Sequence, residues 1–295
     1  MGYKSGFASI IGRPNVGKST LLNKIIGEKI AIMSSKPQTT RNKIQAIYTG
    51  KDFQIVFIDT PGIHKPKHKL GQFMVNAAKE SLKEVDVILY VVEDGDKIGP
   101  GDQYIIEEIK DIDTPIILVM NKIDKMNQEQ FNKLYEMYKE TDIFTDIIAI
   151  SALEDVNIGV LIQKIVDLLP QGPQYYPEDM ITDQPERVIV SEIIREKILH
   201  YTEEEIPHGV AVEITMMKKR PDKDIVDINA TIYCEKQSHK GIIIGKGGRK
   251  LKGIGKSARE DIERLLGSKV YLELWVKVSE DWRNNQHRLR NFGYE

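Results

Sequence analysis

The sequence predicts an α/β protein: a mixed, mostly parallel sheet covered by helices on both faces, followed by a smaller α+β domain. Three observations carry this. Strand-like apolar runs at 7–11, 44–48, 53–58, 87–92, 116–120 and 147–150 are interleaved with helical patterns at 72–83, 102–110, 127–140 and 157–168. A glycine-containing loop, Gly12 to Ser19, separates the first run from an apolar-periodic helix carrying Leu21, Leu22, Ile25 and Ile26. Prolines at 170, 173, 177 and 185 then interrupt the chain, and the remainder reads helix, strand, strand, helix, helix, strand, helix. The expected division is a first domain over 1–170, a connector over 171–183 and a second domain over 184–295.

Each element has its reason. Residues 87–92 and 116–120 are continuous apolar runs, as strands buried on both faces require. In the second half, Val190, Ile194, Ile198 and Tyr201 recur at helical spacing. Val210, Val212, Ile214 and Met216 alternate, as do Val226, Ile228, Ala230 and Ile232. Leu251, Ile254, Ala258, Ile262 and Leu265 mark one face of a long helix, and Val270 to Val278 form a last strand. A polar helix over Asp281 to Asn291 closes the chain, with Trp282 as its anchor; Trp275 is read as core or sheet surface.

With 295 residues, 41% hydrophobic and 29% charged, the chain has enough apolar material for proper cores. A single cysteine, Cys234, excludes an internal disulfide framework and fits a reducing compartment. No run approaches the ~18 apolar residues of a membrane span, so a cytoplasmic protein without a transmembrane segment is expected. Residues 1–182 carry 21 Lys and Arg against 25 Asp and Glu, whereas residues 183–295 carry 21 against 19. Within that second part, Lys236 to Arg259 holds eight basic residues and no acidic one, which calls for an anionic partner or a solvated face.

The loop Gly12-Arg13-Pro14-Asn15-Val16-Gly17-Lys18-Ser19 has the spacing of a phosphate-binding P-loop. Its glycines let several N–H groups turn into one concavity at a helix N-terminus, where the helix dipole favours an anion. Lys18 can reach the β- and γ-phosphates, and the Ser19 hydroxyl can ligate Mg²⁺. Some 40 residues later Asp59-Thr60-Pro61-Gly62 ends a strand; Asp59 stands where a carboxylate would serve the Mg²⁺ shell, and Gly62 can offer an N–H to a γ-phosphate. Asn121-Lys122-Ile123-Asp124 ends another strand. A carboxylate at Asp124 can accept two parallel hydrogen bonds from guanine N1–H and the 2-amino group, donors that adenine lacks. The Lys122 stem can lie on the base plane, and Asn121 can brace the loop. Ser151-Ala152, after the strand at 147–150, can present N–H groups to guanine O6, a dipeptide that says little alone. The polar stretch Met33 to Lys43 reads by itself as a connector.

These stretches in this order resemble a Ras-type, translation-factor-class GTPase over residues 5–170. The resemblance implies GTP/GDP and Mg²⁺ as cofactors, with Lys18, Thr40 and Gly62 in catalytic roles. It implies that Gln38 to Arg41 is the first switch, with Thr40 the favoured Mg²⁺ ligand and Thr39 the fallback, and that Ile63 to Leu70 is the second. One departure stands out. Ile63 occupies the position where Ras-like enzymes carry a water-positioning glutamine, so slow intrinsic hydrolysis is expected unless other groups complete the site. Related GTPases with Asn-Val-Gly-Lys-Ser in the loop coordinate K⁺, which assigns that role to Asn15; otherwise Asn15 is a loop former.

Gly245-Lys246-Gly247-Gly248 is a G-x-x-G loop between two helices. Its glycines admit a nucleic-acid backbone, while Lys246, Arg249, Lys250, Lys252 and Lys256 supply positive charge, although these cannot all share one helix face. Ile242, Ile243 and Ile244 are expected to wall a groove for unstacked bases. The arrangement resembles a KH domain in the helix-first, type II order over about 184–280. A GTPase domain followed by a type II KH domain, with Ser-Glu-Asp-Trp after the last strand, resembles the bacterial Era family. That resemblance implies a cytoplasmic, partly membrane-peripheral monomer that binds 16S-type ribosomal RNA at its 3′ end and assists small-subunit assembly. Two rivals stay open: an RNA-modification GTPase, for which Cys234 lacks a partner, and an RNA-binding module with a passive nucleotide.

Overall fold

The computed structural model describes residues 2–34, 36, 39–62, 68–83, 85–95, 97–203 and 206–294. The chain forms two compact units, the first of Met1–Ala31, Thr40–Pro66 and Met74–Asp183, the second of Ile32–Thr39, Lys67–Phe73 and Gln184–Glu295.

In chain order the first unit contains β1 (Lys4–Ile11), α1 (Lys18–Ile26), β2 (Ile44–Thr49), β3 (Phe53–Asp59), the part of α2 (Lys69–Glu80) from Met74 onward, β4 (Val87–Val92) and α3 (Pro100–Ile109). It continues with β5 (Ile116–Met120), α4 (Gln128–Lys139), β6 (Asp146–Ala149) and α5 (Ile158–Leu168). The sheet order is β2-β3-β1-β4-β5-β6; every pair is parallel except β2 with β3. The continuous apolar strands have the expected cause. All six residues of β4 are buried, with Val87, Leu89 and Val91 in the core under α1 and α5. Ile88, Tyr90 and Val92 belong to the opposite core with α3 and α4. Parallel strands place every strand-end loop of β1, β3, β4, β5 and β6 along one sheet rim, where ligands collect in open α/β sheets.

The proline-rich stretch does not hang free. Gly172 N–H donates to the Tyr3 carbonyl, and residues 171 and 182 bridge Lys4 and Ala46. Buried Gln54 accepts from the N–H groups of Tyr175 and Tyr176 and donates to the Tyr176 carbonyl at 2.9 Å. The residues expected as a connector are thus part of the first compact unit.

The second unit contains α6 (Glu186–Tyr201), β7 (Ala211–Lys219), β8 (Ile225–Cys234), α7 (Gln237–Ile244), α8 (Arg249–Leu266), β9 (Lys269–Val278) and α9 (Gln286–Asn291). Its sheet runs β7-β8-β9, antiparallel then parallel, and one core gathers α6, α7 and α8 against one sheet face. Two expectations need correction. A bulge between Ile214 and Met216 breaks the alternation of β7, so Met216 is exposed and Met217 packs against the core. The tail is not one helix: a short turn at Trp282–Asn284 precedes α9, with Asn285 capping it. Trp282 is nonetheless the anchor, fully buried and donating its Nε1–H to the Gly209 carbonyl at 2.9 Å. Trp275 lies on the sheet surface, 62% exposed.

Candidate functional site

The P-loop closes where β1 hands over to α1. Gly17 caps the helix at φ 99°, and a Cβ there would strike the Asn121 side-chain amide. Asn121 is the brace the motif implied. Its Nδ2 donates to the Val16 carbonyl at 2.9 Å, and its Oδ1 accepts from Ala152 N–H at 3.0 Å. One buried amide therefore joins the phosphate loop, the 121–124 motif and the 151–152 dipeptide. Lys122 Nζ donates to the Asn15 carbonyl at 2.7 Å and pairs with Glu93 at the end of β4, a partner that no motif announces. The Ser151 hydroxyl donates to Asp124 Oδ1 at 2.5 Å and fixes that carboxylate. Ile123 starts a single tight turn whose N–H meets the Ile150 carbonyl at 3.3 Å.

The charged centre is buried. Lys18 Nζ donates to the carbonyls of Gly12 and Arg13 at 3.0 and 2.9 Å. Burial pulls its ammonium down to about 8, against the opposing pull of Asp59. Burial pushes the Asp59 carboxyl up to about 6, with Lys18, Ser19 and Thr40 acting the other way. Ser19 Oγ donates to Asp59 Oδ2 at 3.0 Å and stands 3.0 Å from Thr40 Oγ1. Asp59 Oδ1 is buried with no hydrogen-bond partner among the described residues. Hydroxyl, hydroxyl and a half-satisfied carboxylate form the hard-oxygen set that Mg²⁺ prefers, so Ser19, Thr40 and Asp59 fit that ion. Thr39 Oγ1, by contrast, donates to the Lys36 carbonyl at 2.5 Å.

Two members of the Asp59-Thr60-Pro61-Gly62 stretch have structural reasons. The buried Thr60 hydroxyl donates to the Ile10 carbonyl at 2.9 Å, so its side chain serves the sheet. Gly62 lies against the phosphate loop, where a Cβ would sit 2.8 Å from Pro14 N. Ile63 and Gln38 lie outside the described residues, as do His64, Lys65, Pro66 and Lys67 of the expected second switch.

In the second unit, Gly245, Gly247 and Gly248 adopt φ of 72°, 61° and 75°, and α8 begins directly at Arg249. A cleft of about 850 Å³ runs between α8 and β9. Arg249, Lys252, Lys256 and Arg259 line its helix side; Val270, Tyr271, Leu272 and Leu274 line its strand side. β9 is an edge strand of its sheet, so its outer side has no strand partner among the described residues. The isoleucine run does not provide the wall as expected. Ile243 is fully buried in the core and Ile244 packs against it, leaving Ile242 as the exposed member. Lys246 is exposed on the loop, and Lys250 packs under Gly245 rather than into the cleft. The apolar wall comes from β9, which sequence reasoning placed only as a strand; Arg259, the last cation of the basic run, completes the helix side.

The geometry defines a P-loop GTPase with a guanine-reading loop, joined in one chain to a KH-type fold. Two family descriptions match: a 50S ribosome-binding GTPase over residues 7–122 and a KH domain over residues 205–283. The chain is 75% identical to the GTPase Era of Alkaliphilus oremlandii over 295 residues, spanning all of both proteins. It is 64% identical to GTPase Era of Clostridioides difficile, covering 99% of each. Among solved structures, Era in complex with MgGDPNP and nucleotides 1506–1542 of 16S ribosomal RNA superposes with a TM-score of 0.95 at 43% identity, over 99% of both chains. An Aquifex aeolicus Era variant bound to GDP·AlF4⁻ gives 0.94 at 43% identity over the same share. The chain belongs to the Era family of GTPases and hydrolyses GTP to GDP and phosphate.

Proposed function

We propose that this GTPase binds the 3′ end of small-subunit ribosomal RNA in the α8–β9 cleft and acts in 30S subunit assembly, its nucleotide state governing RNA engagement. The observation that carries this reading is a guanine-reading phosphate site and a G-x-x-G cleft in one chain, in a fold that superposes at 0.95 on an Era bound to 16S ribosomal RNA. Phosphates would lie on the α8 N-terminus and the loop glycines, with bases against Leu272, Leu274 and the edge of β9.

In hydrolysis, water attacks the γ-phosphorus and the bond to the β–γ bridging oxygen breaks, releasing GDP and phosphate. Ser19, Thr40 and Asp59 would hold Mg²⁺, which supplies positive charge to the phosphates. Lys18 adds its ammonium, and Gly62 offers its N–H to the γ-phosphate. Coupling is supported by three hydrogen bonds within the second unit, where Met33 and Thr39 meet α6. Arg195 donates to the Thr39 carbonyl, Glu196 accepts from Met33 N–H at 2.8 Å, and His200 lies 3.0 Å from the Met33 carbonyl. Thr39 immediately precedes the Mg²⁺-facing Thr40, so a change at one is felt at the other.

Asn15, with φ 69° in the phosphate loop, is the proposed K⁺ contact that offsets the missing glutamine. Peripheral membrane association and a monomeric state rest on the family resemblance alone; no helix among the described residues is long and apolar enough to cross a membrane. The test is GTP turnover in K⁺ and in Na⁺, with and without an oligonucleotide of the small-subunit 3′ end. Turnover should be faster in K⁺, and the preference should vanish in Asn15→Ala. Equal rates in both salts would remove the K⁺ role, and failure of the oligonucleotide to bind or alter turnover would remove the RNA coupling.

A further inference from the structure

Arg13 is the one cation of the phosphate loop besides Lys18, and its side chain is turned away from the loop's interior. Its stem runs along Gly101, where a Cβ would lie 2.9 Å from Arg13 Cδ. Its Nε stands 2.7 Å from Asp102 Oδ2 in the first turn of α3. Asp102 is 2% exposed, and its other oxygen accepts from the buried Tyr90 hydroxyl at 2.8 Å. Such a carboxylate is costly to bury unless paired, and here both partners are specific: one from β4, one from the phosphate loop.

We propose that Asp102, held by Tyr90, is a positioning residue for the nucleotide site, clamping Arg13 so that the phosphate loop presents Lys18 correctly. The connection is short. The two carbonyls that receive the Lys18 ammonium are those of Gly12 and Arg13. Gly12 is pressed against the end of β4, where a Cβ would collide with the Val91 carbonyl. The loop's first two residues are thus wedged between β4 and α3, and the Arg13–Asp102 pair closes the wedge. The contact is made to the loop rather than to the base or the γ-phosphate. Loss of the clamp therefore weakens GTP and GDP alike and leaves the preference for guanine over adenine unchanged.

The inference rests on Lys18 as a phosphate ligand, and a double-mutant cycle on full-length protein separates the two. Affinities for fluorescent GTP and GDP analogues are measured for the wild type, Asp102→Asn, Arg13→Ala and the double variant, with thermal melts alongside. Asp102→Asn should weaken both nucleotides about tenfold, and should add little once Arg13 is already alanine. Tyr90→Phe, which deletes one oxygen from a buried ring, should reproduce a smaller part of the same loss while staying folded. Unchanged affinity in Asp102→Asn, or fully additive losses in the double variant, would overturn the clamp. A wild type that fails to bind GTP would instead overturn the phosphate site itself.

Discussion

Two buried charges of opposite sign set how the nucleotide site responds to pH. Asp59 must be ionised to ligate Mg²⁺, and burial holds its carboxyl at about 6. Lys18 must be protonated to serve phosphates, and burial holds it at about 8. Mg²⁺-dependent GTP affinity should therefore peak near pH 7 and already be about halved at pH 6 and at pH 8. It should fall further below pH 6 as Asp59 takes up a proton and above pH 8 as Lys18 loses one, each limb approaching about tenfold per pH unit. Calorimetric titration across pH 5 to 9.5 checks this, and a profile level throughout would contradict it. The same shifts weigh on folding. Asp59 has a folded value above its unfolded one, so its ionised form costs stability above about pH 6, a cost that disappears as pH falls toward 4. Lys18 has a folded value below its unfolded one, so its cost is full below about pH 8 and vanishes as pH rises past 10. Lys18, Ser19, Asp59, Asn121 and Asp124 were legible as candidates because motif spacing singles them out, and the structure brings them to one rim of the sheet. Spacing could not identify Glu93, Asp102 or Tyr90, which reach the site only through the adjacency of β4, β5 and α3.

At the scale of elements, the proposal that RNA lies in the α8–β9 cleft gives the G-x-x-G turn and the strand opposite it separate roles. Gly247 sits at φ 61° with open space around its Cα, a conformation that aspartate tolerates better than most residues. Lys246→Asp with Gly247→Asp should then preserve the turn while placing two carboxylates where phosphates would lie. RNA affinity should drop at least about tenfold and lose part of its salt dependence, whereas GTP affinity should not move. Filter binding at two ionic strengths reads both quantities, and retained RNA affinity would rule out this loop as the anchor. Here the limits of sequence periodicity are plain. The run Ile242 to Ile244 looks like a continuous apolar wall, yet a helix turns successive side chains by about 100°, so Ile243 enters the core and only Ile242 stays exposed. The bulge after Ile214 likewise has no signature in an alternating pattern. Leu272 and Leu274 were legible as strand residues, but that β9 is an edge strand facing α8 is a property of the sheet order.

For the molecule as a whole, the cores are separate. Among the described residues, two lie on the faces of the six-stranded sheet and contain no residue beyond Leu169, and the third contains none before Ile189. Nucleotide binding stabilises the unit that carries the site, by an amount set by ligand concentration over its dissociation constant. Trp282 offers a handle on the other unit. It is fully buried, donates to the Gly209 carbonyl, and meets Phe292 and Tyr294 at ring-centroid distances of 5.3 and 6.0 Å. Replacing it with alanine leaves a cavity and orphans that carbonyl, a loss of about 3–5 kcal/mol by analogy with other buried tryptophans. Differential scanning calorimetry of Trp282→Ala should show the transition of the second unit lowered. The transition that GTP raises should stay in place, and GTP affinity should remain at the wild-type value. If the substitution instead lowered both transitions together, the two halves would melt as one cooperative body and stability could not be assigned core by core.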